Sequence, residues 1–456
     1  MLTSTANEDI RTSFWPRVRE FAVPASMIET ATARRLAGDW AGACAAAGFD
    51  VDLNLRAVAR DHGRELASRV RSDLRALAPD LLRWHMPRIA PDGLLRPGVT
   101  LTLARYDAPE GPVHLVARTA PAWADAGQRI SLALWSRSTT DAAGHPHPRP
   151  NRRFRLDLHR HLWDAGRGGE LGARSGSGEG SIRAGFRQRS LRGPELILPP
   201  ACAVDRWAAE ARILLAAEGR TGGVLLVRLG GRQRLVLELA ADDDLIRPVP
   251  TPPAGTVSAL PVLPDAATWV LPDLQLLRVG AIEAERLHPL VAAALAPDRA
   301  ATGPPRTPDR PGRPRLVECR GARHRIGLVD GVLAPLDHDP DEIRREELLV
   351  ALTGTPLPCL QAIDEAHRRP HCLAGVRERL VHGDTAGALA VVEGLLGPEA
   401  LLRTGPLRDE LEAAAQRRIT YGLFRAGLTG PGPTWFRPRP SGRDPRNRRT
   451  HPRHAT

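Results

Sequence analysis

The hydrophobic residues of this chain change period twice, and that switch limits its possible folds more than any single motif does. Over residues 24–88 apolar positions recur at helical spacing. Met27, Ile28, Ala31 and Leu36 form one stripe, and Leu66, Val70, Leu74 and Leu77 form another that runs up to Pro79. Pro24 suits a first helical position. Gly38-Asp39 ends one helix and caps the next, and Asp52 is placed to cap a helix through Leu55, Val58 and Ala59. From Val99 the period falls to two. Val99, Leu101 and Leu103 alternate with small or polar residues, as in a half-buried strand. Val113–Val116, Ile130–Leu134 and the alternating Phe154, Leu156 and Leu158 read as companions.

Further along, Val224–Leu229, Gly230-Gly231 and Leu235–Leu239 make the clearest hairpin, since a Gly-Gly turn tolerates positive φ. One helix, 205–217, interrupts the strands. A proline-rich loop covers 248–264, a strand broken by Pro272 is predicted over 269–277, and a helix over 282–296 is split at Pro289. After a second proline-rich stretch, short strands are predicted at 315–319, 324–329 and 332–336, with Asp330-Gly331 as a hairpin turn. Helices resume at Asp339 and again after Pro358, Pro370, Asp384 and Pro406.

These periods predict an α+β chain with a helical N-terminal region, a central β-rich domain and a C-terminal helical bundle. The expected boundaries are an N-terminal helical region at 1–90 and a central α+β domain at 95–296, with a flexible Arg/Gly-rich insertion near 137–193. A Pro-rich linker at 297–314, a hairpin plus helical domain at 315–428 and a disordered basic tail at 429–456 complete the chain. A length of 456 residues exceeds one ordinary core.

The formal charge is +12, and all 64 basic residues are arginine. The surplus is uneven: twelve Arg against five acids at 137–193, and seven against one at 429–456. Arginine on a mobile segment reaches phosphate in bidentate geometry. Arg149, Arg152, Arg153 and Arg155 are therefore candidate nucleic-acid contacts, with His145, His147, His159 and His161 beside them. In the tail, Arg437, Arg439, Arg443, Arg446, Arg448, Arg449 and Arg453 follow Trp435 and Phe436, and rings beside arginines suit single-stranded nucleic acid.

Five scattered cysteines with no CxxC argue for a reducing, cytoplasmic setting. The first twenty residues lack the apolar core of a signal peptide, and no apolar run is long enough for a membrane span. A P-loop needs a lysine, and neither G-x-S-x-G nor H-E-x-x-H occurs. Cys359, His367, His371 and Cys372 are four zinc-type ligands within fourteen residues, though Pro370 interrupts their helix. In the acidic run 337–342, Asp339 reads as an N-cap and Pro340 as the first helical residue.

Two resemblances stand beside this reading. Gly38–Ala45 matches Gly383–Ala390 at six of eight places and resembles the inter-helix turn of tetratricopeptide-type hairpins. Residues 337–424, with RREELLVAL, CLQAIDEAHRRPHCL and RITYGLFRAGL, resemble an uncharacterised actinobacterial protein family, a resemblance that implies no activity, fold or ligand. The expected function is a non-catalytic scaffold or adaptor with a protein partner, no cofactor, and arginine arms that contact nucleic acid or another polyanion. The alternatives are a metal-dependent enzyme with its site in the C-terminal domain, built from Asp337, His338, Asp339, His367 and His371, and a small-ligand sensor that uses the central sheet.

Overall fold

The computed structural model describes residues 14–124, 128–137, 145–176, 198–199, 201–230, 233–241, 245–297, 315–319, 321–353 and 357–428. Helices and four small sheets make an α+β architecture among these residues. None of the described helices is long and apolar enough to cross a membrane.

The helical stripes bury as their spacing requires. Leu66, Val70 and Leu74 point inward from helix Arg64–Ala76, and Pro79 opens helix Pro79–His85. The cap expected at Asp52 falls instead on Asn54, whose side chain accepts from the Arg56 and Ala57 amides at 2.9 and 3.2 Å. The residues just before it form a short strand, which the helical reading passed over. This strand, β1 (Phe49–Val51), joins β2 (Thr100–Tyr106), β3 (Val113–Thr119) and β4 (Ile130–Trp135) in the order β1-β4-β3-β2, and only β1–β4 is parallel.

Alternation in β2 predicts one wet face, yet Thr100 and Thr102 are 1% and 2% exposed. The segment expected to be loose covers them. The Asn151 amide donates to the Thr100 carbonyl at 2.9 Å, the Thr102 amide to the Phe154 carbonyl at 3.1 Å, and the Thr100 hydroxyl to the His147 carbonyl at 2.6 Å. An open sheet edge invites unwanted pairing, and residues 147–158 close this one. Leu156–Leu158 is accordingly a 3₁₀ turn rather than a strand.

One apolar core runs from Phe14 to Ala292 and includes Trp84, Leu101, Leu103, Trp163, Leu276 and Val291. The N-terminal helices and the central sheet therefore share a single interior. A second core packs helix Trp207–Ala217 against β5 (Gly223–Gly230), β6 (Gln233–Leu239) and β7 (Ile246–Pro248). The β5–β6 hairpin pairs as predicted, with 231–232 of its connection outside the described residues. The strand expected over 269–277 is absent. Pro272 is the first residue of helix Pro272–Arg278, a position that suits its fixed φ and missing N–H.

The C-terminal part contains a meander, β8 (Arg315–Cys319), β9 (Ala322–Val329) and β10 (Val332–Pro335). Asp330 and Gly331 both have positive φ, +48° and +79°, as a type I′ hairpin requires. Asp339 caps helix Pro340–Thr353 by accepting from the Asp341 amide at 3.0 Å. Four more helices follow: Pro358–Arg368, Leu373–His382, Thr385–Leu396 and Pro406–Arg425. Residues 298–314 and the whole 429–456 tail lie outside the described residues.

The repeated Gly-Asp turn is the same device at both ends. Gly38 and Gly383 take φ of +78° and +88°. Asp39 and Asp384 then accept from the Gly42 and Gly387 amides at 2.8 and 2.9 Å, and from Arg34 and Arg379 at 2.9 and 2.6 Å. A Cβ on Gly42 or Gly387 would collide with the capping carboxylate, which explains the second glycine of each motif.

The two helical regions pack together. Buried Arg83 donates to the carbonyls of Ala22, Gln128 and His382 at 2.9, 2.7 and 2.9 Å. Arg17 meets Glu378 at 2.6 Å, and the Tyr421 hydroxyl donates to Asp50 at 2.8 Å. Arg425 pairs with both Asp50 and Asp52, and Phe424 sets its edge on Trp123 at 5.3 Å.

Candidate functional site

The structure folds most of the first arginine group inward. Arg152 donates to the Ser258 and Leu260 carbonyls at 2.6 and 3.2 Å. Arg153 grips Asp265 with two bonds of 2.9 and 2.7 Å, and Arg155 pairs with Asp157 and Glu218. Arg160 spans Asp73 and Asp164, and Arg174 holds Glu210 at 2.9 and 2.8 Å. Arg149 and Arg152 both stay exposed, and Arg149 makes no such contact among the described residues. Within the flexible insertion expected near 137–193, residues 145–176 thus form a strap across the body, while 138–144 and 177–193 lie outside the described residues. Sequence distance hid the reason: the acids that neutralise the strap come from positions 73, 210, 218 and 265 as well as from within it.

Three of the strap's four histidines are also internal, and His147 is exposed. His145 is buried with Nε2 3.0 Å from the Thr119 carbonyl. His159 Nε2 lies 3.0 Å from Glu210. Burial works against the Glu210 charge, but His159 and Arg174 hold its carboxyl down at about 2. Burial, followed by the charge of His159, pushes His161 down to about 2, so it is neutral. These groups are structural contacts rather than open phosphate ligands.

Between the first and second cores lies a cleft of about 490 Å³, a volume in the range of small-molecule sites. Trp15, Phe154 and Trp269 give it flat apolar walls, and Arg88, Arg96, His85 and Gln275 give it polar ones. The short ladder Arg88–Ile89 with Leu94–Leu95 sets Arg88 on one wall. Its guanidinium donates to the Gly93 and Arg83 carbonyls, both at 2.8 Å, and sits 5.9 Å from the Trp15 ring centroid. Arg88 Nε is buried with no hydrogen-bond partner, and no carboxylate pairs with this arginine among the described residues. Burial, and next the charge of Arg83, push its guanidinium well below its ordinary value. Exposed Arg96 likewise has no acidic partner among the described residues. Arg153 and Arg155 also reach the wall, but with their charges already met.

His85 backs the cleft. Its Nδ1 faces the Leu81 and Leu162 carbonyls at 3.1 and 3.2 Å, and its Nε2 lies 3.3 Å from Asp273. Asp273 also accepts from Trp84 Nε1 at 2.8 Å. Burial opposes its charge, yet His85, Trp84 and Arg19 keep its carboxyl below the usual range. The described lining has no Ser, Thr or Cys.

The structure does not bring Cys359, His367, His371 and Cys372 together as a ligand set. Cys359 and His367 sit in the first and last turns of one helix, eight residues and so about 12 Å apart along its axis. His371 is exposed, while Cys372 packs against a different core from Cys359. Cys359 instead meets Cys319 and His338, with one ligand atom from each residue within 4.8 Å of the others. Burial, then Cys319, raises the Cys359 thiol above its ordinary value. Of the acidic run, Asp337 pairs with Arg325 at 2.7 Å and Asp339 serves as the cap.

Compared with known proteins, the chain matches no family profile, no curated protein and no solved structure.

Proposed function

We propose that this is a non-catalytic binding protein whose cleft takes a small organic anion with a flat apolar part. The observation that carries the reading is Arg88, a cation without a carboxylate partner among the described residues, set beside Trp15 in a cleft of about 490 Å³. A buried unpaired charge is costly, and an anionic ligand relieves that cost. Aromatic walls supply contact area for a planar group, and Arg96 adds a second positive charge at the wall. Helix Pro340–Thr353 leaves Leu348, Leu349 and Leu352 exposed, which supports a protein partner as well. Contact with nucleic acid then falls to Arg149 and the tail arginines Arg437, Arg439, Arg443, Arg446, Arg448, Arg449 and Arg453, the latter outside the described residues.

Equilibrium dialysis against nucleoside monophosphates and small aromatic carboxylates, with uncharged analogues as controls, tests the cleft. Binding of the anions but not of the analogues, lost in Arg88→Met and Trp15→Leu, is the expected result. Equal binding of charged and uncharged compounds, or anion binding untouched by both substitutions, contradicts the reading.

A further inference from the structure

We propose that Cys319, His338 and Cys359, with His324 beside them, form a zinc site that fastens the β8–β10 meander to helix Pro358–Arg368. Cys319 ends β8, Cys359 is the second residue of that helix, and His338 lies between β10 and helix Pro340–Thr353. Three separate elements therefore converge on one point, and their ligand atoms fall within 4.8 Å of one another. In a tetrahedral site with Zn–S near 2.3 Å and Zn–N near 2.0 Å, ligand atoms stand roughly 3.5 Å apart. Closure by about an ångström completes the set.

The surroundings are those of a ligand site rather than of a filled core. Cys319 and Cys359 are 1% and 0% exposed and unbridged. The His338 side chain is 4% exposed, and its Nε2 has no hydrogen-bond partner. Its Nδ1 lies 3.8 Å from Glu342, just outside hydrogen-bond distance, and the same closure would bring this carboxylate up as the partner that orients a metal-bound imidazole. His324 pairs with Val317 across the ladder, two residues along from the Cys319–Ala322 pair, so it shares the helix-facing side of the sheet with Cys319. Its ring stacks on His338 at 4.2 Å, and its buried Nδ1 has no partner either. Rotation of this ring supplies the fourth ligand of a Cys₂His₂ site.

The apolar core beneath the meander is small: Cys319, Ile326, Cys359 and Ile363. A domain with so little buried area commonly relies on a metal. Zinc binding releases the thiol protons to solvent and leaves both sulfurs as thiolates.

The test is native mass spectrometry and elemental analysis of the full chain, purified under reducing conditions. One zinc per chain is expected. C319S, C359S and H338A should each lower zinc affinity at least about tenfold, E342Q about 10- to 100-fold as a partner of a ligand, and H371A not at all. Because the ligand variants are at risk of misfolding, cobalt substitution of the unaltered protein provides a second measurement. Thiolate-to-cobalt charge-transfer bands with tetrahedral d–d bands support the site, and cobalt spectra without sulfur ligation overturn it. Metal-free protein after zinc reconstitution, or a Cys319–Cys359 disulfide under these reducing conditions, also overturns it.

Discussion

Two arginine-bearing regions face the same cleft and differ in how their charge is met. On the strap, Arg153 and Arg155 each find a carboxylate, and Arg160 and Arg174 behind them do the same. On the opposite wall, Arg88 finds only carbonyls and Arg96 no acid among the described residues. The contrast separates two uses of one residue type. Arginine with its acid in place holds elements together, whereas arginine with its acid missing is available to a ligand.

The largest effect should come from breaking the strap's buried pair. Glu210→Gln is expected to cost about 3 kcal/mol in chemical denaturation while leaving anion binding in the cleft intact. The same group sets an acid limit. Its folded pKa lies below its ordinary 4.5, so its contribution is fully present above that pH and fades as pH falls toward 2. A stability profile without that acid limb in the unaltered protein contradicts the pairing.

The packing of the two helical regions should fail earlier in acid. His382 is completely buried against Phe21, with Arg88, Arg17 and Arg83 around it and Glu378 at 3.7 Å. Burial, then Arg88, pushes its pKa down to about 4, so the fold holds the neutral form. A folded pKa below the unfolded 6.5 means that stability is present above 6.5 and declines as pH falls toward 4. About 2 kcal/mol is lost by pH 5. Urea midpoints at pH 7 and pH 5 measure this, and His382→Gln should flatten the difference.

The two Gly-Asp turns allow a finer comparison. Each aspartate caps its helix in the same way, but the Arg379–Asp384 pair is 25% and 9% exposed against 57% and 42% for Arg34–Asp39. Asp384→Ala should therefore lower the melting temperature more than Asp39→Ala. The smallest effect on the folded body belongs to the tail. Removing 429–456 should leave stability unchanged and reduce any binding to unspecific DNA, together with its salt dependence.

Much of the architecture was legible because its signals are local. Stripes such as Leu66, Val70 and Leu74, the Asp330-Gly331 turn, the Asp339 cap and the paired Gly-Asp turns all act within a few residues. What escaped depends on partners far away in the chain. The strap looked loose because Asp73, Glu210, Glu218 and Asp265, its counter-charges, are distant in sequence. His338 was legible as a candidate ligand, but Cys319 lies 40 residues before Cys359, outside the short window that holds His367, His371 and Cys372. The cleft draws its walls from five separate stretches, 14–15, 85–101, 153–162, 230 and 264–275, and has no sequence signature at all.

The most direct test of the two-arginine account pairs anion affinity with stability in Arg88→Met and Arg153→Met. The account predicts a loss of about ten- to a hundredfold in anion affinity for Arg88→Met with stability held or raised. For Arg153→Met, with its bidentate grip on Asp265, it predicts a loss of about 1–2 kcal/mol in stability. Equal losses of stability in both variants, with anion affinity unchanged in the first, would contradict it.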